Sequence, residues 1–129
     1  MASKEEKDPK DLIRSIIKGI EEKKGHGITS IYLSQIENAV TDYFIICHGT
    51  SRTQVNAIAD SVIDVVRKEQ QEKPWQQEGF ENAEWILLDY VKAVVHIFQE
   101  ETRGFYKLEE LWADAEITKV DVKYSSIEN

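Results

Sequence analysis

Residues 84–115, EWILLDYVKAVVHIFQEETRGFYKLEELWADA, limit what this chain can fold into more than any other stretch. Two apolar runs, Trp85–Tyr90 and Ala93–Phe98, stand back to back with only Val91-Lys92 between them. A two-residue connection requires an antiparallel pair. Neither residue favours the positive φ of the usual hairpin turns, so an irregular turn is expected. A polar break, Gln99–Arg103, then leads to an aromatic and leucine-rich segment ending at Trp112. Two of the chain's three Trp fall in this stretch. Such a density of large side chains either builds a core or grips another macromolecule.

The order of elements follows from periodicity. Asp8-Pro9 reads as a helix cap followed by proline at the first helical position. Leu12, Ile13, Ile16, Ile17 and Ile20 recur at helical spacing. Gly25 or Gly27 is expected to end that helix. Ile28–Leu33 reads as a short strand, Ser34–Thr41 as a turn, and Tyr43–Cys47 as a strand buried on both faces. Ser51-Arg52-Thr53-Gln54 is a capping-box pattern, and Val55, Ile58, Ala59, Val62 and Val66 continue it as an apolar stripe through about Lys68. Residues 69–82 read as a long polar loop carrying Trp75, and such loops are often functional. The resulting order, α-β-β-α-β-β-α, predicts an α/β domain with a mixed sheet flanked by helices. Residues 1–7 are charged and expected to be a disordered extension. The domain is expected over 8–115 and a polar tail over 116–129, with Ile117, Val120 and Val122 forming a short strand or nothing ordered.

Charge and cysteine content narrow the function. Twenty-four acidic against 16 basic residues give a formal charge of −8. That balance argues against direct binding to duplex nucleic acid, where Lys and Arg neutralise phosphates. It suits a basic protein partner, although solubility accounts for it equally well. The single Cys47 rules out an intrachain disulfide and a multi-cysteine zinc site. No apolar run reaches the roughly 18–20 residues that span a bilayer. The acidic start MASKEEKDPKD lacks the apolar core of a secretory signal, so a cytoplasmic protein without a membrane partner is expected.

The strongest catalytic candidate is the turn Gly49-Thr50-Ser51, where backbone N–H groups at a helix start are able to hold an anion. An active nucleotide-handling transferase would use that turn with Asp42 and Asp89. It would also need paired carboxylates on a neighbouring strand to hold two metal ions, and the chain lacks that pair. The plain reading is a tight turn and a helix cap. His26, His48 and His96 are too far apart in sequence to form an i, i+4 ligand pair. His96, within a strand, reads as a hydrogen-bonded sheet residue, and Cys47 as a small buried hydrophobe. No cofactor and no metal are expected.

Strand alternation places Trp85, Leu87 and Asp89 on one face and Ile86, Leu88 and Tyr90 on the other. Val94, His96 and Phe98 share a face of the second strand. Both faces are apolar, so either helices cover both or one is a docking surface. Trp85, Arg103, Tyr106 and Trp112 are hot-spot residue types. Phe105 and Trp112 read as core, while Trp85 and Tyr106 stand between core and surface.

The segments TDYFIICHGTSRTQV (41–55), W-x-L-x-D at Trp85, Leu87 and Asp89, VVHIF (94–98), and R-x-FY-x-LE-x-LW-x-DA (103–115) closely resemble the ribosomal silencing factor, or Iojap-like, family. The resemblance spans Leu12 to Ala115. It implies a nucleotidyltransferase-like α/β fold without a working catalytic site, in keeping with the missing carboxylate pair. It further implies binding to the large ribosomal subunit through its fourteenth protein, on the face that meets the small subunit. Occupying that face blocks subunit joining and lowers translation when nutrients are scarce. The resemblance assigns partner contacts to Trp85, Leu87, Tyr106 and Leu108, with Asp89 as a neighbour, and allows a homodimer. The chain departs from the family in the hairpin after Asp89, where Val91-Lys92 replaces the usual Gly-Asp.

Overall fold

The computed structural model describes residues 8–120. Its elements are α1 (Pro9–Glu22), β1 (His26–Tyr32), β2 (Tyr43–Gly49), α2 (Arg52–Gln70), β3 (Gln76–Glu78), β4 (Trp85–Asp89), β5 (Ala93–Gln99), α3 (Glu100–Tyr106), α4 (Leu108–Leu111) and β6 (Glu116–Lys119). The six strands form one mixed sheet in the order β3-β4-β5-β2-β1-β6. β2 and β5 are parallel at its centre, and every other neighbouring pair is antiparallel.

Local chemistry accounts for the helix ends. The Asp8 carboxylate accepts from Lys10 N, and Pro9 opens α1. Neither glycine supplies the left-handed residue that ends α1; Lys24 does, at φ 57°. Lys24 N donates to Glu21 O and Gly25 N to Ile20 O, each at 3.0 Å, closing a Schellman motif. Gly25 is needed one position later for room, since a Cβ there would lie 2.4 Å from Ile20 Cγ2. At the start of α2, Ser51 Oγ accepts from Gln54 N at 3.0 Å. The reciprocal half of the capping box is displaced: Gln54 Oε1 accepts from Thr50 N, and its amide donates to the carbonyls of Lys23 and Lys24.

The helices α1 and α2 lie together on one face of the sheet. Their close approach depends on Gly19, where a Cβ would stand 2.7 Å from Val62 Cα. Ser61 Oγ donates to Gly19 O at 2.7 Å. Leu12, Ile16, Ile20, Val55, Ile58, Val62 and Val66 meet Ile86, Leu88, Val95 and Ile97 there in one core. The opposite face holds a smaller cluster of Ile31, Phe44, Ile46, Val94, Phe98 and Leu108, flanked by half-buried Trp85, Leu87 and Trp112. One sheet face is therefore fully covered and the other only in part.

Three further expectations need correction. The polar loop contains edge strand β3, paired with β4. Of the two alternatives for the tail, a short strand or nothing ordered, the strand forms as edge strand β6, paired with β1. Both strands are exposed throughout, so no apolar alternation marks them. The polar run Gln99–Arg103 is largely the start of α3 rather than a break. Phe105 is no core residue, being 79% exposed. The expectations for residues 1–7 and for Val122 lie outside the described residues.

The hairpin between β4 and β5 is irregular, as expected. Val91 has φ 73°, and Lys92 N donates to Tyr90 O at 2.9 Å, which makes a γ-turn with a β-branched residue at its strained centre. Asp89 Oδ1 accepts from Val91 N, and Thr41 Oγ1 donates to Val91 O, each at 2.8 Å. Relief of the left-handed strain outweighs the entropy a glycine adds to the unfolded chain, so Val91→Gly is expected to gain about 0.5–1 kcal/mol. A urea midpoint that fails to rise would show that the turn carries no strain.

Candidate docking surface

β4 projects Trp85, Leu87 and Asp89 onto the half-covered face, and the chain after β5 returns across it as α3 and α4. Tyr106 at the end of α3 is half exposed, and its ring centroid lies 4.9 Å from that of Trp85. Trp85 also packs on Phe98 at 4.8 Å. Its indole N–H donates to His96 Nδ1 at 3.1 Å. One cleft beside this ledge is lined by Asn82, Glu84, Thr102, Trp85 and Tyr106. A second is lined by Glu78, Gly79, Trp85 and Leu87. The ledge is thus aromatic at its centre and bordered by carboxylates.

The five residues assigned to partner contact do not stand alike. Tyr106 is exposed, and Trp85, Leu87 and Asp89 are half-buried. Asp89 spends one carboxylate oxygen on the hairpin turn. Leu108 is 9% exposed and lies in the smaller core cluster, so it props the surface from below. Lys107, at φ 50°, separates α3 from α4 and lets the exposed Tyr106 be followed so soon by a buried leucine.

Arg103 is an anchor rather than an exposed hot spot. Its side chain is 14% exposed and pairs with Glu109. Nη1 meets His48 Nδ1 at 3.0 Å and Nη2 donates to Thr29 Oγ1 at 3.2 Å. These contacts tie α3 and α4 to β1 and β2, and so hold Tyr106 over the sheet. Burial and the neighbouring guanidinium keep His48 below its ordinary pKa, which leaves its Nδ1 free to accept. His26 stacks on His48 with centroids 5.6 Å apart, a cross-strand pairing that brings together two histidines distant in sequence.

Gly49-Thr50-Ser51 stands at the C-terminal end of β2, but its Thr50 N–H and its two side-chain hydroxyls are engaged with Gln54 of its own chain. Thr50 N is taken by Gln54 Oε1 at 2.8 Å, and Ser51 Oγ caps Gln54 N. Among the described residues no group of three or more His, Cys, Asp and Glu is placed to hold a metal ion. Cys47 is fully buried, and burial pushes its thiol up to about 12, far from thiolate chemistry at neutral pH. His96 is the residue of this surface that sequence reasoning undervalued. Strand alternation grouped it with Val94 and Phe98, and only the structure brings it to the Trp85 indole.

The same architecture occurs in known proteins. A crystallised protein from Chromobacterium violaceum superposes with a TM-score of 0.78 at 28% identity, covering 83% of this chain and 88% of that one. The ribosomal silencing factor of Bacillus subtilis is 36% identical over 112 residues, 87% of this chain and 93% of that protein. A mouse relative, the mitochondrial assembly of ribosomal large subunit protein 1, is 32% identical over 78 residues, 59% of this chain and 34% of that protein. Residues 6–129 match the family model described as ribosomal silencing factor during starvation. On both the family model and the identity to full-length relatives, the chain belongs to the ribosomal silencing factor family.

Proposed function

We propose that this protein represses translation by binding the large ribosomal subunit at the face that meets the small subunit, through the fourteenth large-subunit protein. Bound there, it blocks subunit joining by its bulk, without a chemical step or cofactor. The observation that carries this reading is the half-open ledge of Trp85, Leu87 and Tyr106, bordered by Glu78 and Glu84. Aromatic anchors in a carboxylate frame suit a basic ribosomal protein and disfavour rRNA phosphate. The family supports a ribosomal partner, and the name of the mouse relative refers to the large subunit.

In this reading Trp85, Leu87 and Tyr106 meet the partner, Asp89 sets the hairpin beside them, and Leu108 supports Tyr106 from below. The fold is nucleotidyltransferase-like, with Gly49-Thr50-Ser51 reduced to a helix cap. The protein acts in the cytoplasm; no helix among the described residues is long and apolar enough to cross a membrane.

Sedimentation with isolated large and small subunits through a sucrose gradient tests the proposal. The protein is expected to travel with the large subunit and reduce the joined-ribosome peak. Tyr106→Ala removes an exposed ring, leaves the fold intact, and is expected to lose about 2 kcal/mol, roughly 30-fold in affinity. A protein that stays at the top of the gradient at low salt sinks the proposal. Light scattering of the free protein then decides whether the same apolar face pairs two copies instead.

A further inference from the structure

Trp85 turns its only polar atom inward. A tryptophan at a docking surface commonly keeps its N–H for the partner or for water. Here the indole N–H is spent on His96 Nδ1 at 3.1 Å. The contact is diagonal across the β4–β5 pair, since Trp85 stands opposite Phe98 and Leu87 opposite His96. One imidazole therefore neighbours two of the residues proposed to meet the partner.

His96 is itself immobilised. It is 4% exposed, its ring stands edge-on to Phe44 at 4.6 Å, and it stacks near Phe98 at 6.3 Å. Its Nε2 has no hydrogen-bond partner among the described residues. An apolar side chain of similar volume would remove this unpartnered nitrogen but would take the acceptor from the Trp85 indole. A residue that breaks the local rule beside a binding surface points to function. Burial holds the imidazole down at about 4, so it is neutral at pH 7, and the indole N–H selects the tautomer whose Nδ1 accepts.

We infer that His96 is a positioning residue for docking: by accepting from Trp85 it fixes the indole ring in the orientation that the partner meets, so that Trp85 offers a ring face and no polar edge. The inference rests on the docking role proposed above for Trp85. Without the bond the half-exposed ring is free to turn, and binding must order it.

The test compares His96→Leu, which removes the acceptor, with His96→Asn, which restores an acceptor oxygen at the place of Nδ1. Thermal melting first identifies the temperature at which both variants are folded. Large-subunit affinity in the sucrose gradient and hydrogen exchange of the Trp85 indole N–H by NMR are then read side by side. His96→Leu is expected to speed indole exchange and weaken binding about three- to tenfold, the cost of ordering one freed side chain. His96→Asn is expected to recover most of both. A folded His96→Leu that keeps slow indole exchange or wild-type affinity overturns the inference, as does an Asn variant no better than Leu. Failure of the wild-type protein to bind the large subunit sinks the ribosomal reading separately, and indole exchange still decides whether His96 holds Trp85.

Discussion

Lowering the pH from 7.5 to 5 is expected to cost this protein about 2 kcal/mol of stability, and approaching pH 4 about 3 kcal/mol, mostly through His96. Burial lowers the His96 pKa from its ordinary 6.5 to about 4. Unfolded chains bind that proton near 6.5, folded ones only near the lower value. Between the two the unfolded state carries more protons, so stability rises with pH through this window. The contribution is complete above 6.5 and is lost as pH falls towards 4. His48 is shifted the same way by burial and by Arg103, and adds to the loss. The ion pairs of Glu69 with Lys18 and of Asp64 with Arg67 and Lys68 are exposed and lose strength only as pH falls through the carboxylate range, at the acid end of this window and below it. Urea titrations at several pH values check the slope, with His96→Leu as the flatter control. A free energy constant between pH 7.5 and 5 would mean that His96 is not neutral in a buried site.

Gly79→Ala is expected to cost about 3 kcal/mol and to weaken large-subunit binding at least roughly tenfold. Gly79 has φ 94°, a conformation that L residues rarely adopt, and a Cβ there would stand 2.1 Å from Trp85 O. That clash is with backbone, so no side-chain rotation relieves it. Either β3 peels away from β4 or the Trp85 peptide moves, and both outcomes disturb the cleft lined by Glu78, Gly79, Trp85 and Leu87. Gly104 in α3 is the control. A Cβ there meets nothing within 4 Å, so Gly104→Ala is expected to be neutral or to gain about 0.5–1 kcal/mol from helix propensity. Thermal melts that rank the two variants equally would remove the steric account of Gly79.

Much of the fold was legible from side-chain periodicity. The stripes of α1 and α2, the doubly buried β2 and the alternation of β4 and β5 all record which positions leave water. The same alternation put Trp85 and Leu87 together on one face, which the structure then leaves less covered. Legibility failed where water is not excluded. Gln76–Glu78 is a strand only because β4 offers it a hydrogen-bonding edge, and the strand left open at 116–122 is decided by the edge of β1. It failed again at Phe105, Tyr106 and Leu108, because the left-handed Lys107 breaks the helical phase that would have assigned them. Arg103 looked like an exposed anchor, yet its partners Thr29 and His48 lie 74 and 55 residues away in sequence.

The sequence by itself determined the N-caps of α1 and α2, the central strands and the family. Those depend on local propensity and on a repeating contrast of apolar and polar residues, both carried by neighbours along the chain. The tertiary structure alone decided which aromatics face outward, that Arg103 is tied down against the sheet, and that His96 holds Trp85. Those depend on contacts between residues far apart along the chain, whose geometry exists only once the sheet has brought them together.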